Sequence, residues 1–132
     1  MGGDVAGLHY SQEREYGRQY DAWGAATARG GRCMIKGGKR MVTCLLYLSD
    51  VEDGGGTSFP NLEMEVRAKK GRMVLFHNCY GGRNLRHPDC LHGGLPVVKG
   101  EKWACNFWFR ESVYQDPETV PKRIVSIALP SD

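Results

Sequence analysis

The chain has 132 residues and a formal net charge of +3, from 18 Lys and Arg against 15 Asp and Glu, a length suited to one domain with its own core. That small excess, with no basic run or stripe, argues against a nucleic-acid partner. The longest apolar run is about five residues, far short of the roughly 20 of a membrane helix, so no membrane partner is expected. Residues 11–22 hold a partial helical period that Gly17 interrupts, and Gly24 to Lys39 is glycine-rich and reads as a loop. Met41 to Leu48, MVTCLLYL, is short, apolar and rich in strand formers, so it predicts a buried strand. SDVEDGGGTSFP (49–60) predicts a turn region, and Leu62 to Val66 a strand with one wet face. Lys69-Lys70-Gly71 predicts a turn, Arg72 to His77 a second apolar strand, and Asn78 to Asp89 a polar loop. Pro96 to Val98 begins a third strand pattern and Trp103 to Arg110 a fourth. Residues 116–132 hold three prolines and read as an extended or loosely held tail. No internal repeat is visible. Many short strands separated by turn signals predict an all-β sandwich or barrel with few helices.

The first ten residues lack the charged and apolar regions of a signal peptide. The five cysteines, Cys33, Cys44, Cys79, Cys90 and Cys105, are an odd number without a CxxC pair, which argues against structural zinc. A reducing compartment such as the cytoplasm is the plain reading, favoured over the ER lumen, with a Cys79–Cys90 bridge left open. The stretch CLHGGLPVVKGEKW (90–103) places His92 ten residues before Lys102. Its glycine pair, proline and valines suggest a hairpin-like arm that turns an imidazole and a cation toward one barrel mouth, where the cation suits a carboxylate ligand. A turn histidine and an unrelated surface lysine are the ordinary alternative.

Four segments, GGKRMVTCLLYLSDVEDGG, SDVEDGGGTSFP, KKGRMVLFHN and LHGGLPVVKGEKW, resemble in order and spacing the prolyl 4-hydroxylase branch of the Fe(II)- and 2-oxoglutarate-dependent dioxygenases. The resemblance runs from about Leu8 to Glu111 of a single domain spanning 1–132, with 112–132 as a tail. It implies a double-stranded β-helix, a jelly-roll barrel, in agreement with the strand reading. It also implies a metal held by two histidines and a carboxylate, with positions left open for 2-oxoglutarate and dioxygen. His92 matches the late histidine and Asp21 the carboxylate of the early His-x-Asp motif; both would be catalytic. Gln19 stands where that motif has its histidine, so the implied metal set reads Gln19, Asp21, His92. An amide is a poorer Fe(II) ligand than imidazole, and His87, His77 and His9 are alternative donors, His87 first.

Lys102 matches the basic residue that pairs with the distal carboxylate of 2-oxoglutarate. Tyr10 and Tyr47 match tyrosines of the cosubstrate pocket, core packing being the alternative for both. On the substrate side the resemblance assigns Tyr16, three positions before the early motif, Arg40 in the peptide groove, and Trp108 near the active site. Arg110 stands where relatives often have histidine. Trp103 and Phe107 are expected in the core, and the 24–36 loop as a lid or a plain connection. Only seven residues precede Leu8, where relatives carry further elements, so a truncated or minimal family member is expected. The implied activity is hydroxylation of a prolyl residue in a peptide or protein by dioxygen, with 2-oxoglutarate decarboxylated to succinate and L-ascorbate maintaining the iron. Two alternatives stay open: a metal-impaired or inactive jelly roll acting as a binding module, and an oxygenase on a non-prolyl substrate.

Overall fold

A computed structural model describes residues 3–10, 16–22, 37–80 and 85–112, without the side chains of residues 4, 10 and 16. Among these residues ten strands carry the fold: β1 (Gly3–Tyr10), β2 (Tyr16–Gln19), β3 (Arg40–Tyr47), β4 (Asp53–Gly54), β5 (Thr57–Phe59), β6 (Met64–Val66), β7 (Met73–His77), β8 (His92–Gly94), β9 (Val97–Lys99) and β10 (Lys102–Arg110). They form two four-stranded sheets, in the orders β1-β10-β3-β7 and β2-β8-β5-β6, and a two-stranded ladder, β4-β9. Every pairing is antiparallel. The sheets face one another, as Phe59 of β5 meets Phe76 of β7 edge-on with centroids 5.2 Å apart. Apart from the β5–β6 hairpin, strands consecutive in the chain lie in different sheets, as in a jelly roll. Among the described residues, no helix is long and apolar enough to cross a membrane.

Strand periodicity divides the inner face into two zones. Along β3, Thr43, Leu45 and Tyr47 are all buried because residues two apart share a face. Opposite them in register, Ala104 pairs with Tyr47, Asn106 with Leu45 and Trp108 with Thr43. Leu45, Tyr47 and Ala104 join Val51, Ala68 and Val97 in the apolar core. The Thr43–Trp108 end of the same strands is polar.

The outer face of the larger sheet differs from expectation. Trp103 is 47 % exposed, with Met73, Leu75, Val5 and Phe109 also exposed, so Trp103 is not a core residue. It alternates with buried Lys102 and Ala104, and its indole stacks on His9 at 4.0 Å. Phe107, one step from buried Asn106, is half-buried.

Other expectations need correction. Residues 92–102 are not a hairpin arm: β8 lies in the smaller sheet, β9 pairs with β4, and β10 lies in the larger sheet. Gly54 permits the β4–β9 approach, because its backbone has φ 75° and a Cβ there would fall on the Pro96 carbonyl oxygen. The 49–60 stretch holds β4 and β5 as well as turns, and residues 16–19 are strand rather than helix. Such short strands depend on cross-strand pairing and leave little periodicity in sequence. Cys44, Cys79, Cys90 and Cys105 are free thiols, so Cys79 and Cys90 are not bridged. The 24–36 loop and the tail beyond residue 112 lie outside the described residues.

Candidate functional site

Asp21 follows β2 and His92 opens β8, two adjacent strands in which Gln19 is paired directly with His92. Direct cross-strand partners project from the same face of a sheet. Asp21 is 3 % exposed and His92 7 %, and Asp21 Oδ1 stands 3.7 Å from His92 Nε2. That gap is too long for a hydrogen bond. An ion with bonds of about 2.1 Å to each donor can span it.

Both side chains are fixed from behind. His92 Nδ1 lies 2.9 Å from the Cys90 carbonyl oxygen. A carbonyl can only accept, so Nδ1 carries a proton there, and Nε2 is the ring nitrogen left facing Asp21. The ring packs against Phe76 and Phe59, with centroids 4.8 and 5.9 Å away. On the other side, Asp21 Oδ2 accepts from Thr43 Oγ1 at 2.7 Å and from Trp108 Nε1 at 3.1 Å.

The other histidines are elsewhere. His87 Nδ1 accepts from the Asp89 amide at 3.2 Å, capping the Pro88–Cys90 turn, and its ring lies against Tyr80. His77 is exposed at the end of β7. His9 stands 3.7 Å from Glu101. Among the described residues, no three His, Cys, Asp or Glu side chains gather as a metal group. None of the three spare histidines therefore completes a triad with Asp21 and His92. The donor set that fits a divalent cation is one carboxylate, one imidazole and, from its register, the weaker Gln19 amide.

Lys102 opens β10 and is 5 % exposed. Burial pulls its pKa from 10.5 down to about 8. Its Nζ lies 5.4 Å from the centroid of the Tyr47 ring. Tyr47 is fully buried, and its hydroxyl shares a 2.6 Å hydrogen bond with Thr57 Oγ1. Burial pushes the Tyr47 phenol up, opposed by the Thr57 hydrogen bond and by Arg72, so it stays a neutral hydrogen-bonding group. The Tyr10 backbone is paired with Lys102 and that of Tyr16 with Gly94; their side chains lie outside the described part.

The Arg40 guanidinium lies over the Trp108 ring, 3.7 Å from its centroid. Arg110, past a register shift in β10, is buried and its Nη1 donates to the Gly38 carbonyl at 2.9 Å. The residues that sequence reasoning passed over are Thr43, Asn78 and the Cys90 carbonyl. The only signal for Thr43 is a hydroxyl inside an otherwise apolar strand.

A family model described as the 2OG-Fe(II) oxygenase superfamily matches residues 5–110. An Acanthamoeba polyphaga mimivirus protein provisionally assigned as a prolyl 4-hydroxylase is 34% identical over 108 residues, covering 82% of this chain and 45% of its own. Prolyl 4-hydroxylase 5 of Arabidopsis thaliana is 36% identical over 121 residues, covering 77% and 40%. The chain thus spans under half the length of these curated relatives. Among solved structures, the viral collagen prolyl hydroxylase of Paramecium Bursaria Chlorella virus-1, in its 2OG complex, superposes with a TM-score of 0.68 at 29% identity, covering 82% of this chain and 60% of that one.

Proposed function

Because the chain belongs to the 2OG-Fe(II) oxygenase superfamily, with prolyl 4-hydroxylases among its relatives, we propose that it hydroxylates a prolyl residue of a peptide or protein, using dioxygen and decarboxylating 2-oxoglutarate to succinate. The observation that carries this reading is the 3.7 Å approach of Asp21 Oδ1 to His92 Nε2. In this reading Asp21 and His92 hold Fe(II), with Gln19 as a third and weaker donor. When bound, Fe(II) supplies the redox chemistry that couples dioxygen reduction to decarboxylation of 2-oxoglutarate.

The chain's own groups do the rest. Lys102 pairs with the distal carboxylate of 2-oxoglutarate, and that pairing returns its proton affinity toward normal. Tyr47, pinned by Thr57, lines the cosubstrate pocket, with Tyr10 beside Lys102 in register. Phe59 and Phe76 close the far side of His92 and keep water away from the reacting centre. Arg40 and Trp108, stacked on one another, receive the peptide together with Tyr16. L-ascorbate returns the iron to Fe(II) after turnovers that do not hydroxylate.

The test is incubation of the protein with Fe(II), 2-oxoglutarate, ascorbate and proline-containing peptides, reading succinate and a gain of one oxygen in peptide mass. Oxygen gained on a residue other than proline would move the assignment to a non-prolyl substrate. One specific observation favours a second reading, a metal-impaired binding module. Gln19 occupies the position paired with His92, and no third strong donor stands nearby among the described residues. Absence of iron after purification with Fe(II), together with retained peptide binding, would favour that module.

A further inference from the structure

Asp21 is held in a way that a merely buried carboxylate does not require. Of its two oxygens, Oδ2 takes both donors found among the described residues, Thr43 Oγ1 at 2.7 Å and Trp108 Nε1 at 3.1 Å. Oδ1 is turned to His92 Nε2. The two donors come from adjacent strands, β3 and β10, at positions directly paired in register. A rigid sheet therefore sets their separation, and the carboxylate that bridges them has one orientation.

The Thr43 hydroxyl is itself directed. Asn78 Nδ2 donates to Thr43 Oγ1 at 2.8 Å. A hydroxyl has one proton to give; with its acceptor side engaged by Asn78, that proton goes to Asp21. Asn78 is fully buried and fixed at both backbone ends. Its amide donates to the Met41 carbonyl at 2.8 Å, and its carbonyl accepts from the His87 amide at 2.9 Å. The relay Asn78 to Thr43 to Asp21 thus runs in one direction, and each donor polarises the next.

We propose that Thr43, backed by Asn78, and Trp108 are positioning residues that hold Asp21 to a single-oxygen presentation, leaving Oδ1 as the metal donor beside His92. The inference rests on the metal reading given above and deepens it: Trp108 acts here through Asp21, in addition to any contact with substrate. The presentation matters more in this chain than in one with a full triad. Gln19 is a weak donor, so metal affinity depends chiefly on how well two side chains are aimed.

The experiment titrates Mn(II) alone into the purified full chain and reads free Mn(II) by electron paramagnetic resonance, which needs no turnover. The variants are Thr43→Val, Thr43→Ser, Trp108→Phe and Asp21→Ala, each checked by thermal melting. Thr43→Val and Trp108→Phe should weaken Mn(II) binding by about tenfold or more, the range seen when groups behind a metal ligand are removed. Thr43→Ser, which restores the hydroxyl, should recover most of the affinity. A purely structural role would lower the melting temperature without this pattern. Should Thr43→Val fail to fold, Trp108→Phe carries the test, because it removes only the donor and leaves a ring under Arg40. Affinity unchanged in Trp108→Phe and in folded Thr43→Val, while Asp21→Ala abolishes binding, overturns the positioning roles and leaves the metal site standing. Affinity unchanged in Asp21→Ala overturns the metal reading itself.

Discussion

The clearest quantitative consequence concerns Lys102. Burial lowers its pKa from 10.5 to about 8, which corresponds to roughly 3 kcal/mol of cost for carrying the charge in the ligand-free protein. The sign follows from linkage. Below about pH 8 both folded and unfolded chains carry the proton, and the cost stands in full; between about 8 and 10.5 only the unfolded chain binds it, and stability rises with pH. Lys102→Met keeps most of the stem volume and removes the charge. It should raise the thermal midpoint at pH 7 while weakening 2-oxoglutarate binding by about thirtyfold or more, the scale of breaking a buried charge pair. The parent protein supplies a sharper signature. A dicarboxylate beside Lys102 raises its pKa again, so binding at pH 8 takes up roughly half a proton, and almost none at pH 6.5. Calorimetry in two buffers of different ionisation enthalpy reads this directly. The affinity should also fall as pH rises above about 8. A binding enthalpy independent of buffer at pH 8, or equal affinity in Lys102→Met, would refute the assignment of Lys102 to the cosubstrate.

Gln19→His should strengthen metal binding and raise succinate production, since imidazole replaces an amide at the position paired with His92; equal iron stoichiometry and turnover in both forms would show that the position is not a ligand site. Tyr47→Phe removes the partner of the Thr57 hydroxyl and should cost about 1–3 kcal/mol in urea unfolding, with weaker 2-oxoglutarate binding. Gly54→Ala should destabilise the fold by about 1–3 kcal/mol, because its φ of 75° and the close Pro96 carbonyl leave no room for a methyl group; an unchanged unfolding midpoint would contradict the β4–β9 packing.

The sequence by itself determined the elements whose signal is local. Runs such as MVTCLLYL and WACNFWFR are long enough to show strand character, and β3 and β10 fall on them within a residue or two. The ordered motifs also pointed to Asp21, His92 and Lys102 and to a jelly roll. What they left open was how the chain reaches that arrangement. β5 and β8 have three residues each and lie among glycines and turns, so only their partners in space define them. The 92–102 stretch looks like one hairpin, yet its ends belong to opposite sheets, because β9 finds β4 rather than its own neighbours. Trp103 is apolar, but its place on β10, one step from buried Lys102, sends it outward. Only the tertiary structure decided that His87, five residues from His92 in the chain, caps a turn instead of joining the site. It likewise decided that Thr43 and Trp108, 65 positions apart, are register partners that meet on one oxygen of Asp21. Antiparallel pairing sets such distances across the sheet, and no spacing along the chain encodes them.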